Sequence, residues 1–98
     1  MPAITRIGDP ISCGDVMAQG SGNVFANGIP VSRLGVDSTA GHPCGPSTVM
    51  QTGSTSVFVN NIPVVRVGDD IVDHGTCDDP PHDGVVTTGS PDVFVNNV

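Results

Sequence analysis

Gly53-Ser-Thr-Ser-Val-Phe-Val-Asn-Asn-Ile-Pro-Val-Val-Arg-Val-Gly-Asp69 decides how this chain is read, because the sequence writes it more than once. Gly20-Ser-Gly-Asn-Val-Phe-Ala-Asn-Gly-Ile-Pro-Val-Ser-Arg-Leu-Gly35 repeats it, with Asp37 one residue late. Gly89-Ser-Pro-Asp-Val-Phe-Val-Asn-Asn-Val98 opens it a third time, and there the chain ends. The Gly-Ser pairs begin at 20, 53 and 89, which are spacings of 33 and 36 residues and a period typical of repeat architectures. The rest of the third copy stands at the other terminus, where Met1-Pro-Ala-Ile-Thr-Arg6-Ile-Gly8-Asp9 carries the same pattern with one extra residue after the proline. The expectation is three equivalent units in a ring, at about 20–37, 53–69 and 89–98 completed by 1–9, forming one domain over 1–98. All three Phe (Phe25, Phe58, Phe94) and all three Arg (Arg6, Arg33, Arg66) fall inside this pattern.

Each unit reads as a β-hairpin. Ser56–Val59 and Ile62–Val67 flank the two-residue connection Asn60-Asn61, and Asn27-Gly28 occupies that place in the first copy. Asn-Gly is the strongest short hairpin signal, since both central residues of a type I′ turn need positive φ; Asn-Asn is a weaker form of it. Pro30 and Pro63 come early in their return segments, which suits a strand start or an edge.

Composition agrees. There is no Lys, no Glu, one Leu and 16 Val among 98 residues, and Gly and Pro together supply 22. Strong helix formers are scarce and β-branched residues abundant, so the class is all-β and turn-rich. A domain of this size has a modest core and calls for help from a metal or a partner surface. The net charge of −7, ten Asp against three Arg, argues against nucleic acid or an anionic membrane as partner. No apolar run approaches a transmembrane length and no signal peptide opens the chain, which predicts synthesis in the cytoplasm. Three Cys do not make a complete disulfide framework.

The copies differ in the loops that connect them. Every Cys and every His lies there: Cys13 in the first loop, His42 and Cys44 in the second, His74, Cys77 and His82 in the third. A threefold arrangement brings the three loops together on the axis. The hairpins then form a scaffold and the loops a site.

The alternation of Gly-Asp, a His/Cys-bearing loop, Gly-Ser-x-x-Val, Asn-x-x-Pro and Arg-x-Gly-Asp resembles the PAAR-repeat family over essentially the whole chain. The naming tetrapeptide is degenerate, Pro30-Val-Ser-Arg33 and Pro63-Val-Val-Arg66, with only Pro and Arg kept. The resemblance implies a small pseudo-threefold cone that caps the blunt end of a trimeric β-helical spike. Such tips sharpen the needle of type VI secretion systems and contractile phage tails and help pierce the target envelope. It also implies a zinc ion near the apex held by three His and one Cys, which here are Cys13, His42, His74 and His82, with Cys44 or Cys77 as substitutes for a His. Zinc accepts mixed N/S ligands and a closed four-ligand site is structural, whereas iron suits this donor set less well.

The alternating Val and the three Phe are expected in the core, although a base that meets a spike must leave some strand-face apolar residues exposed. Arg6, Arg33 and Arg66 are either spike contacts or partners of Asp9, Asp37 and Asp69. The acidic stretch Asp78–Asp83 lacks EF-hand spacing and reads as a solvated loop. No His-Glu-x-x-His, nucleophile elbow or phosphate-binding Gly loop supports an enzyme, and only Asp73 or Asp83 could act as base to a catalytic zinc. The rival functions are a stand-alone zinc-binding adaptor and a carrier of effector cargo. The motif fills the chain from Met1 to Val98 without room for a toxin domain, which leans toward a virion component over a secretion needle.

Overall fold

A computed structural model of the chain describes residues 2–42, 45–75 and 82–95. The described residues contain no helix. Two hairpins are formed by β1 (Phe25–Ala26) with β2 (Ile29–Pro30) and by β3 (Phe58–Val59) with β4 (Ile62–Pro63). Their turns carry the backbone that the sequence demands: φ is 55° at Asn27, 76° at Gly28, 54° at Asn60 and 66° at Asn61. Positive φ at both central positions twists the turn to match the flanking strands.

The strands are far shorter than the apolar runs suggest. From Val64 onward the chain pairs with other units as well, Val64 with Arg33 and Arg66 with Ile4. A run that reads as one strand is thus divided among several neighbours around an axis.

The third unit joins the two ends of the chain. Phe94 bridges Ala3 as Phe25 bridges Pro30 and Phe58 bridges Pro63. The N–H groups of Val31, Val64 and Ile4 donate to the carbonyls of Val24, Val57 and Val93 at 3.2, 3.1 and 3.0 Å. The hydroxyls of Ser21, Ser54 and Ser90 accept from the N–H groups of the same three valines at 3.0, 2.9 and 2.9 Å, which explains why Ser recurs at one offset in every copy. At the centre the bonds close on themselves. Thr5 N–H donates to Val65, Val65 to Ser32 and Ser32 to Thr5, each at 3.0 Å. This cycle relates three segments distant in sequence by a pseudo-threefold axis.

Two apolar clusters are stacked along that axis, since each draws on all three units. Ile4, Ala26, Val31, Val59, Val64 and Val95 form the one beside the hairpins. Ile11, Met17, Met50, Val65, Ile71 and Val86 form the one beside the loops, with Cys13 packed against it. Extents of 38 × 24 × 24 Å, one long and two equal, fit an axially symmetric body. Loop geometry repeats as well: Gly8, Gly35 and Gly68 follow the Arg segments with φ of 90°, 74° and 96°.

The arginines take the second of the two roles open to them. Arg6, Arg33 and Arg66 pair with Asp9, Asp37 and Asp69 at 3.3, 2.8 and 2.9 Å. Each of these Asp also accepts its Arg's own backbone N–H, at 2.8, 2.8 and 2.7 Å. Each pair is therefore a fork that locks a strand end.

The aromatic residues depart from expectation. Phe25, Phe58 and Phe94 are not core: they are 53%, 54% and 49% exposed. The reason is strand alternation, because the neighbouring Ala26, Val59 and Val95 point into the hairpin-side cluster and leave the Phe on the opposite face.

Candidate metal centre

Three loops rise from the loop-side cluster, each started by a positive-φ glycine and anchored by an Arg–Asp fork. The first returns through a tight turn in which Gly14 N–H donates to Ile11 and Ile11 N–H donates to Asp15, at 3.0 and 2.9 Å, setting Cys13 at its apex. In the second, His42 and Gly45 exchange backbone bonds at 2.8 Å in both directions. In the third, His74 and His82 do the same at 3.0 and 2.9 Å. That last exchange shows how two His eight positions apart come to face each other.

The four side chains converge. One ligand atom from each of Cys13, His42, His74 and His82 lies within 4.8 Å of all the others. His42 Nε2 is 3.0 Å from His74 Nε2 and 3.2 Å from His82 Nε2, and Cys13 Sγ is 3.7 Å from His74 Nε2. The rings of His42 and His74 meet edge-on, and those of His42 and His82 stack at 5.2 Å. His74 is buried and the other three are half-buried.

This donor set fits a metal ion on two observations. The contact between His74 Nδ1 and the carbonyl of Pro46, at 2.7 Å, requires the imidazole to donate. A proton therefore sits on Nδ1 while Nε2 faces Cys13 and His42, the orienting bond that metal-ligating His usually make. Nitrogen lone pairs 3.0 Å apart repel unless a proton or a cation lies between them. These three short spacings are close to those of tetrahedral coordination, in which ligand nitrogens stand about 3.3 Å from one another and a thiolate sulfur about 3.6 Å from a nitrogen. These four residues can hold a metal ion.

Two glycines shape the site without any signal in the sequence. A Cβ on Gly45 would collide with the ring of His42, and one on Gly84 would lie 3.0 Å from Cys13 Sγ. Both are cradles for a ligand, and their sequence surroundings look like ordinary turns. Cys44, Cys77 and the acidic residues Asp78 and Asp79 lie outside the described residues. No cavity of ligand size is found among the described residues, and no helix is long and apolar enough to cross a membrane.

The fold and site define a class: a pseudo-threefold all-β domain whose loops gather a Cys/His₃ cluster able to hold a metal ion. A family model described as the PAAR motif matches residues 16–80, which is 65 of the 98 positions, and the chain belongs to that family. Proteins of the family are structural spike-tip proteins, not enzymes. They associate with spike proteins in phage-tail or type VI secretion needle assemblies. None of the curated proteins compared with the chain matches it.

Proposed function

We propose that this protein caps the end of a trimeric β-helical spike, in a contractile phage tail or a type VI secretion needle, and serves as its point during envelope penetration. The observation that carries the proposal is the repetition of one exposed aromatic on each of three pseudo-equivalent units, Phe25, Phe58 and Phe94. A single chain meets three identical spike chains only if it offers the same contact three times, and these are the large apolar side chains that do so. They border the hairpin-side cluster, away from the loops. Covering each half-exposed ring contributes roughly 1 kcal/mol, and unpaired backbone along the short hairpins can extend the spike's own β-structure.

In this reading residues 1–98 are one domain whose repeats run 20–37, 53–69 and 89–98 completed by 1–9. Cys13, His42, His74 and His82 bind zinc. When bound, zinc supplies a rigid four-way link between the loops and no open position for catalysis. The action is mechanical: force from sheath contraction is concentrated by a point that cannot splay.

The test is native mass spectrometry of the protein mixed with the β-helical end of its spike. The expected species is one tip with three spike chains and one zinc ion. Replacing Phe25, Phe58 and Phe94 together by Ser abolishes that species while the protein stays folded and zinc-loaded. A zinc-loaded monomer indifferent to spikes replaces the tip by a stand-alone zinc adaptor. A complex that survives the triple substitution moves the contact elsewhere on the surface.

A further inference from the structure

The carboxylate of Asp15 is 1% exposed and stands two residues beyond Cys13. Its Oδ1 accepts the N–H of Val16 at 2.7 Å in its own loop and the N–H of Gly41 at 2.8 Å in the next. Gly41, at φ 84°, directly precedes His42. One oxygen therefore ties the loop bearing Cys13 to the loop bearing His42. The other, Oδ2, is buried and has no hydrogen-bond partner among the described residues.

A buried carboxylate with an idle oxygen is costly unless positive charge lies close by. The protein's permanent cations are committed elsewhere: it has no Lys, and its three Arg are forked to Asp9, Asp37 and Asp69. The charge of a divalent ion with one thiolate and three neutral imidazoles is +1, which one carboxylate balances.

Asp15 also breaks the threefold pattern. The bond from Ile11 N–H to the Asp15 carbonyl has counterparts from Thr39 to Thr48 and from Ile71 to Gly84. The equivalent positions thus hold Asp, Thr and Gly, and the lone carboxylate of the three is the one beside the lone Cys ligand.

We infer that Asp15 is the positioning and charge-balancing residue of the metal centre, holding the Cys13 and His42 loops at their working separation. The inference rests on the reading of that cluster as a metal site. Its test is titration of the full-length protein with cobalt(II), followed by thiolate-to-metal and ligand-field absorption and by competition with zinc. Asp15→Asn keeps an acceptor for Val16 and Gly41 but removes the charge. It is expected to leave the bands in place and weaken cobalt affinity about tenfold. Asp15→Ala removes both functions, shifts the bands and weakens affinity toward a hundredfold.

Both substitutions should lower the melting temperature of the loaded protein more than that of the metal-free protein, whereas a merely structural role lowers both alike. Wild-type affinity in Asp15→Asn overturns the inference, and so does an equal loss in both forms. If the wild type itself takes up neither cobalt nor zinc, the metal site fails, and the role of Asp15 fails with it.

Discussion

Replacing Gly84 by Ala tests whether the loops are built around a ligand. A Cβ at this position would stand 2.8 Å from Ile11 Cγ2, 3.0 Å from Cys13 Sγ and 3.2 Å from Cys13 Cβ. Ile11 belongs to the loop-side core and is buried there, so it has little room to retreat. Cys13 is half-buried and gives more readily, by a few tenths of an ångström. Overpacking of this kind costs about 1–3 kcal/mol. In a domain of this size that lowers the melting temperature by between about 4 and 24 °C. Displacing the thiolate should add about a tenfold loss of zinc affinity, comparable to other changes in the immediate surroundings of a metal.

Gly22→Ala is the control, because a Cβ there meets nothing within 4 Å. It should alter stability by no more than about 0.5 kcal/mol. Calorimetry with and without zinc, plus competition against a chromogenic chelator, reads both effects. A Gly84→Ala protein that matches Gly22→Ala in melting temperature and in zinc affinity refutes the packing argument.

Asp37→Ala strips Arg33 of three bonds, from its backbone N, Nε and Nη2 at 2.8, 2.8 and 2.9 Å. With Arg33 still partly hydrated the loss should be about 2–4 kcal/mol in urea unfolding, and a change below 1 kcal/mol would mean that water replaces the fork. Asn61→Gly relieves an L-residue held at φ 66° and makes the second turn match the first. It should gain a few tenths to about 1 kcal/mol, and a loss would show that the Asn61 side chain matters more than its backbone.

Hydrogen bonds from Gln51 and Thr52 hold the Asp70 carboxyl below its ordinary range. A depressed folded-state value stabilises the protein above the unfolded carboxyl range, and the contribution is lost as pH falls through the lower folded value. The melting-temperature difference between wild type and Gln51→Ala with Thr52→Val should therefore be full near neutrality and shrink below about pH 4. A difference independent of pH would assign the effect to packing.

The threefold plan is legible in the residues alone, because Gly-Ser, Val-Phe, Asn-Asn or Asn-Gly, and Pro-x-x-Arg recur at fixed offsets and each is a local instruction. Ser caps the entry to the hairpin, Asn accepts positive φ, and Pro sits where no N–H is needed. The four candidate ligands were legible for the same reason: they are the His and Cys that the repeats exclude, and the family resemblance sorts them.

What depends on packing across units is not legible in that way. Phe25, Phe58 and Phe94 look like core because they are large and apolar, yet alternation gives the interior to Ala26, Val59 and Val95. The strand-like run Ile62–Val67 is divided because a ring makes each segment serve more than one neighbour. Asp15, Gly45 and Gly84 gave no sign in sequence of their place at the centre. Their roles are set by an imidazole, a thiolate or a backbone N–H from another loop, brought close only when three units close around one axis.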